Sequence, residues 1–459
     1  MKKTVLFLMN GFGIEQVDSY SVYSKDLMPN LDSYTNNYLF SSIESKATTL
    51  EDGLLNFSTG VKLPLSYSLV DRIYSDYSQN KNFNFYTQNI KENTNIQLFC
   101  FIESDRVLEH LKSFVNFINS KCTNPIYIHC VLTSNDIENY KEIEKTISRI
   151  HYDFNNCKVA TIIGENKLNE TNLTSYMNML QNQVGEKWKE LSKKFNSLQN
   201  SKTAPNDAVE FIMNEEFKVE ANDNFFFFNY KYSDMVNFIS NIGQVVDCSK
   251  TFSLFPIKGI KYPMLAYPKS GISFINSLKK IDAKALVVSD SKRISNINYY
   301  LTGLQQINPE NISYVRSDNG FLENINNLKA VIEDNFDLII IEYNVGDLKT
   351  IPELKESLAK LDNILKDTAE YCIAKEYSLF ISSLYGMKKE MPLDNFTKYL
   401  VNFSSKVPFI VIDPVFTKDN FRIDIGDVNN LAHTVYTNIN NNYSGGNVLI
   451  KKKGLKFKK

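Results

Sequence analysis

The chain is punctuated by short runs of β-branched and aromatic residues that stop abruptly at polar or glycine positions. Val5 to Met9, Ile126 to Leu132, Val159 to Ile163, Phe225 to Phe228, Ala285 to Val288, Leu338 to Ile341, Leu379 to Ile381 and Phe409 to Ile412 all have this form. Continuous apolarity suits strands buried on both faces, so the runs read as parallel strands of a covered sheet. Between them lie segments of helical pattern: Arg106 to Ile118, Ile137 to His151, Thr174 to Leu191, Gly271 to Lys279 and Pro352 to Ala374. Strand, helix, strand alternation predicts an α/β fold with mostly parallel sheets. Such sheets bind ligands beyond the carboxyl ends of their strands, so the informative residues are those just after each apolar run.

The periodicity lapses in the polar stretch Leu63 to Asn84 and in the Pro- and Gly-punctuated stretch Pro256 to Gly271, and both read as crossings between lobes. A length of 459 residues also exceeds what one core usually organises. Asn196 to Asp207 is polar enough to read as a loop. The opening Met1-Lys2-Lys3-Thr4 has the outline of a signal peptide, but Asn10-Gly11-Phe12-Gly13 ends the apolar run early, so it reads as a first buried strand.

Composition then removes several classes of function. With 43% hydrophobic and 22% charged residues the chain is ordinary globular protein, and no apolar run reaches the roughly 20 residues of a membrane span. A net charge of -1 gives no footprint for nucleic acid or an anionic membrane. The basic tail Lys451 to Lys459 reads as a solvated end. Six scattered cysteines without a CxxC pair fit a reducing, cytoplasmic setting. A monomer is expected.

Several local runs fall in one family's order. Val5 to Gly13 resembles a strand ending in Asp-Gly-Trp-Gly, and Met28-Pro29-Asn30-Leu31-Asp32 resembles Thr-Pro-Asn-Leu-Asp. Gly53 to Gly60 is similar to Gly-His-Leu-Asn-Ile-Gly-Ala-Gly. Lys261-Tyr262-Pro263-Met264 through Leu278, Tyr299 to Gly303, Asp337 to Ile341, Leu379 to Ser383 and Val407 to Ile410 follow in place. Together they resemble the 2,3-bisphosphoglycerate-independent phosphoglycerate mutases. The resemblance implies an alkaline-phosphatase-like α/β parallel-sheet domain at residues 1–65 and 268–459. A second α/β domain, the mutase's transferase-like lobe, would be inserted at 66–267. It also implies a reaction, interconversion of 3- and 2-phosphoglycerate through a serine and a pair of divalent metals, usually manganese.

Carried over residue by residue, the chemistry is depleted. Asn10 stands at the family's first metal-ligating Asp, and a neutral amide is a poor ligand for a hard dication. Leu50 stands at the nucleophilic Ser. A one-residue slip puts Thr49 there instead, so Thr49 and the nearby Ser58 remain as rescue hydroxyls, beside the plainer reading of turn or N-cap side chains. Asp347 survives as a vestigial ligand from Asp-Met-Val-Gly-His-Thr-Gly, whose His is lost. Leu384-Tyr385-Gly386 replaces Asp-His-Gly, and about Asn402 replaces the last His. Of the four histidines, only His433 falls in the phosphatase-like domain, in an expected C-terminal helix, where it reads as a surface or packing residue.

The phosphate cradle is thinned as well. Thr133-Ser134-Asn135-Asp136 stands for Asp-Gly-Arg-Asp, Thr171 and Met177 for two arginines, and Val107 to His110 for Val-His-Ser-His. Asp136, Lys231 at an Arg position and Arg293 at a Lys position remain as substrate-binding candidates, each also readable as a surface charge. The leading expectation is a mutase-like pseudoenzyme with no cofactor, binding a protein partner or a small phosphorylated ligand, and neither nucleic acid nor membrane. The alternative is an active metal-dependent mutase or phosphatase with relocated ligands and two Mn2+.

Overall fold

The computed structural model of the chain describes residues 1–14, 23–47, 49–60, 80–90, 92, 94–102, 105–133, 137–154, 156–168, 170–228, 238–239, 251–254, 260, 262–264, 273–303, 309–346, 348, 350–392, 398–403, 405–441 and 448–453. The chain divides into two compact units, Met1–Leu65 with Lys269–Lys459, and Ser66–Pro268.

The first unit is built on a seven-stranded sheet in the order Ile312–Arg316, Ala285–Ser289, Leu338–Asn344, Thr4–Asn10, Ser378–Ser382, Ser405–Ile412 and Leu39–Ser45. The first five strands run parallel, Ser405–Ile412 runs antiparallel to them, and Leu39–Ser45 pairs antiparallel with Ser405–Ile412. Phe409 to Ile412 is therefore a strand but not a parallel one. It is buried in the same core but returns along the Ser378–Ser382 strand in the opposite direction. All seven residues of Thr4–Asn10 are buried, as a strand covered on both faces requires.

Along that strand the side chains alternate between two layers. Val5, Phe7 and Met9 join a core that includes Leu354, Leu358, Leu361 and Leu365 of the helix Ile351–Ala374. Thr350 caps this helix, and Pro352 occupies its first turn, where a missing N–H costs nothing. Further along it, the buried Asp362 carboxylate accepts from the Asn30 and Leu31 amides at 3.1 and 2.9 Å. It thereby caps the helix Pro29–Asn37 from outside. Thr4, Leu6, Leu8 and Asn10 face the opposite layer.

The second unit carries an eight-stranded sheet in the order Tyr262–Pro263, Thr251–Ser253, Asn224–Phe228, Ile96–Ile102, Ile126–Leu132, Cys157–Gly164, Phe211–Ile212 and Glu186–Lys187. Neighbours are parallel except Phe211–Ile212, which runs antiparallel to Cys157–Gly164. Thr174 to Leu191 is not one helix. The helix Glu170–Asn182 ends where Gln183 takes a left-handed φ of 58°, and Leu191–Asn200 is a separate helix. The polar stretch Asn196 to Asp207 is correspondingly ordered, as the end of that helix followed by a 3-10 turn at Pro205–Asp207. Polar residues there cover the exposed side of a helix whose Leu191 and Phe195 are buried.

A buried polar chain crosses this second sheet. Gln97 Nε2 donates to the Asp223 carboxylate at 2.7 Å and to the Lys218 carbonyl at 3.0 Å, which leaves Oε1 to accept from His129 Nε2 at 2.9 Å. His129 Nδ1 must then accept from the Thr161 hydroxyl at 2.8 Å, and Thr161 accepts from Tyr176 at 3.1 Å. The ring is thus a neutral Nε2–H tautomer, stacked on Phe99 at 4.5 Å. Burial pushes its pKa from 6.5 down to about 3, and burial raises the Asp223 carboxyl above its usual range.

Unfolded chains protonate this histidine below pH 6.5 while the folded protein resists until about pH 3. The unfolded state therefore binds more protons, and stability falls as pH drops through that window, by about 2 kcal/mol at pH 5 from this group alone. Urea unfolding at pH 7 and pH 5 should show the loss, and His129→Gln should reduce it. An unchanged pH dependence in that variant would refute the assignment.

Candidate functional site

The carboxyl ends of the central strands of the first unit bring Asn10, Asn344, Glu342 and the Ser382–Gly386 turn together. Asn10 and Asn344 end adjacent strands in register, and Glu342 lies beside Leu8 on the same face as Asn10. The Asn10 side chain is fully buried and hydrogen-bonded at both ends of its amide. Its Nδ2 donates to Glu342 Oε1 at 3.2 Å, and its Oδ1 accepts from the Leu384 amide at 3.0 Å. An aspartate would keep the second bond and lose the first.

Glu342 is only 2% exposed and is surrounded by donors. Its Oε2 accepts from the Ser289 hydroxyl at 2.6 Å and from Arg293 Nε at 3.2 Å. Arg293 projects from the helix Ser291–Leu301, which starts just after the Ala285–Ser289 strand, and its Nη2 lies 4.0 Å from Asp290. This sequence candidate therefore sits at the strand ends, turned onto a carboxylate.

Backbone packing closes the same region. Gly11, at φ 83°, approaches Gly346 so closely that a Cβ would lie 2.4 Å from its amide nitrogen. The Gly11 amide donates to the Tyr385 carbonyl at 3.2 Å. The Tyr385 hydroxyl donates to Asn344 Oδ1 at 2.8 Å, and the Gly346 amide donates to the same oxygen at 2.6 Å. Tyr385 is buried, so an aromatic ring occupies the position where the resemblance puts an imidazole ligand.

The helix Leu50–Thr59 forms another wall. A Cβ on Gly53 would stand 2.8 Å from that of Leu384, so only glycine permits this approach. Thr49 is the N-cap, its hydroxyl accepting from the Asp52 amide at 3.2 Å, and Leu50 is the buried first residue. Ser58 donates to the Leu55 carbonyl at 3.3 Å within the helix. Glu51 accepts from Asn296 Nδ2 at 3.1 Å.

Asn10, Thr49 and Arg293 thus lie in the first unit, with Asn10 and Arg293 meeting through Glu342. Asp136, Lys231 and Asp347 lie outside the described residues. His433 is exposed on the helix Val428–Ile439. Sequence reasoning missed Glu342, Ser289 and Asn344. The available signal was an acid directly after the apolar run Leu338 to Ile341, at the strand end where function is expected.

Chemically, the described donors do not fit a pair of divalent cations. Among the described residues no group of three or more His, Cys, Asp or Glu side chains converges on one point. Asn10 offers an amide oxygen already accepting a hydrogen bond, and Glu342 has both oxygens engaged. Leu384 and Tyr385 offer neither carboxylate nor imidazole. No described helix is long and apolar enough to cross a membrane.

No family model matches the sequence, and no curated protein matches it. Solved structures do match. A phosphoglycerate mutase from Leishmania mexicana superposes with a TM-score of 0.80 over 98% of this chain and 98% of that one, at 12% identity. The PH0037 protein of Pyrococcus horikoshii (8% identity, 97% and 98% covered) and a cofactor-independent phosphoglycerate mutase of Thermoplasma acidophilum (8%, 96% and 98%) reach only 0.39 and 0.31. Scores that low carry no weight beside the first. Sequence order, sheet topology and the Leishmania superposition agree, and the chain has the α/β fold of a phosphoglycerate mutase.

Proposed function

We propose that the chain is a phosphoglycerate mutase-like protein that does not catalyse the mutase reaction, a pseudoenzyme that keeps the fold to bind a protein or a small phosphorylated ligand. Asn10 carries the reading. At the position of the family's first metal ligand stands an amide whose donor is committed to Glu342 and whose oxygen is committed to the Leu384 backbone. Leu50 at the nucleophile's position is support of the same kind, because a hydrocarbon cannot accept a phosphoryl group. No resident dication forms part of the proposal. A cytoplasmic monomer is its setting, supported by the five free cysteines among the described residues.

One contact favours a second reading, a phosphoryl-transfer enzyme with relocated groups. The Ser289 hydroxyl points at the Glu342 carboxylate at 2.6 Å, a hydroxyl-and-base pairing. Both groups are buried and Arg293 occupies the same carboxylate oxygen, which denies a substrate approach.

An enolase-coupled assay with 3-phosphoglycerate and Mn2+ should return background rates only, and dialysed protein should carry no stoichiometric manganese or zinc. Sustained 2-phosphoglycerate production would sink the proposal. Restoring the ligand alone is expected to be harmful. Asn10→Asp sets a second buried carboxylate against Glu342, so its urea midpoint should correspond to a loss of about 3 kcal/mol. Its mutase rate should stay at background. A more stable or active Asn10→Asp protein would show that the amide is not a structural replacement.

A further inference from the structure

We infer that the Arg293 guanidinium, aided by the Asn10 amide, is a built-in counter-ion for Glu342 that takes the place of a divalent cation at these strand ends. The inference rests on the pseudoenzyme reading and goes beyond it by naming what holds the site together. Glu342 is buried at the end of a central strand, where an ionised carboxylate without compensation is costly. Three donors reach it: Asn10 Nδ2 at 3.2 Å, Ser289 Oγ at 2.6 Å and Arg293 Nε at 3.2 Å. The amide and the hydroxyl satisfy lone pairs but carry no net charge. Arg293 alone among the three does.

The arrangement of Arg293 suits that task. Its side chain is 19% exposed against 1% for Glu342, so the pair is held largely out of solvent. A guanidinium stays charged at any physiological pH and presents a rigid fork. Here the fork spans two acids, with Nε on Glu342 and Nη2 4.0 Å from Asp290. The helix Ser291–Leu301 fixes it from the strand side. A cation tethered to the chain in this way competes permanently with any free dication for the same oxygens, and the two would repel each other. The neutral residue at position 10 follows from this. With that one positive charge already spanning Glu342 and Asp290, a carboxylate at position 10 would add a further negative charge against Glu342.

The test compares melting temperatures with EDTA and with Mn2+, alongside elemental analysis of dialysed protein, for wild type and three variants. Wild type should melt at the same temperature in both conditions. Arg293→Gln leaves Glu342 buried without a cation, and its Tm should fall on the order of 10 °C in EDTA. Mn2+ should recover much of that fall and bind stoichiometrically, because the vacated charge is then supplied from solution. Arg293→Lys should melt near wild type and ignore Mn2+. The double variant Glu342→Gln with Arg293→Gln removes both charges, so it should melt above Arg293→Gln and also ignore Mn2+.

An Arg293→Gln protein that melts with wild type overturns the inference. So does one that is destabilised yet indifferent to Mn2+, since Arg293 would then be only a packing partner. If Arg293→Gln does not accumulate, the double variant must accumulate and ignore Mn2+, and its failure also overturns the inference. The coupled assay on the same wild-type protein reads the pseudoenzyme proposal separately. Mutase turnover defeats that proposal, whereas background turnover with an unresponsive Arg293→Gln defeats only the counter-ion.

Discussion

A carboxylate buried at the end of a central strand has to be neutralised and fully hydrogen-bonded, and the strand ends of the first unit are organised around how Glu342 meets that demand. Asn10 is the piece that links it to the rest. One side of its amide serves Glu342 and the other holds the Leu384 backbone, so a single side chain ties Leu338–Asn344, Thr4–Asn10 and the turn after Ser378–Ser382 together. The Gly11 amide and the Tyr385 hydroxyl add further ties between those segments. A metal cluster draws strand-end loops inward by coordinating side chains from several strands. Here hydrogen bonds between side chains and backbone do the drawing.

The scaffold was legible in the sequence because burial on both faces leaves a plain mark. All eight apolar runs are strands, and Thr4–Asn10 at the centre is the most continuous of them. Strands that the pattern hid are those with mixed chemistry. Ile96–Ile102 is an exception, since Leu98 to Ile102 is itself a continuous apolar run beside Gln97, whose buried amide belongs to the polar chain through His129. Leu39–Ser45 is an antiparallel edge strand with partly exposed serines, and it gives no apolar run at all. Helix limits failed where a backbone conformation, not a side-chain pattern, ends the element, as at Gln183.

The site was half legible, for a related reason. Asn10 and Arg293 were found because each occupies a position that a resemblance singles out. Glu342 was not, although it is the residue both of them serve. A lone acid after an apolar run looks like the polar end of a strand, and only the register that sets it beside Leu8 and within reach of Asn10 gives it a role. Tyr385 is the converse case. Its aromatic character reads as core, and it is core, at a position where the resemblance implies a ligand.

These contacts also explain how the fold of the Leishmania protein can be kept at 12% identity. Sheet packing depends on Val5, Phe7, Ile339, Ile341, Leu379 and Ile381, which lie in the core and never reach the strand ends. Residues at the ends are coupled to one another instead. Tyr385 packs on Gly346 so tightly that a Cβ there would meet its hydroxyl at 2.0 Å, Gly346 shares Asn344 with that hydroxyl, and Gly346 also touches Gly11. Energies of residues in one network are not additive. Replacing any one of them with a metal ligand removes a structural contact before a second ligand is present to use it. The strand-end residues therefore act as one set, and a substitution at any member is felt at the others.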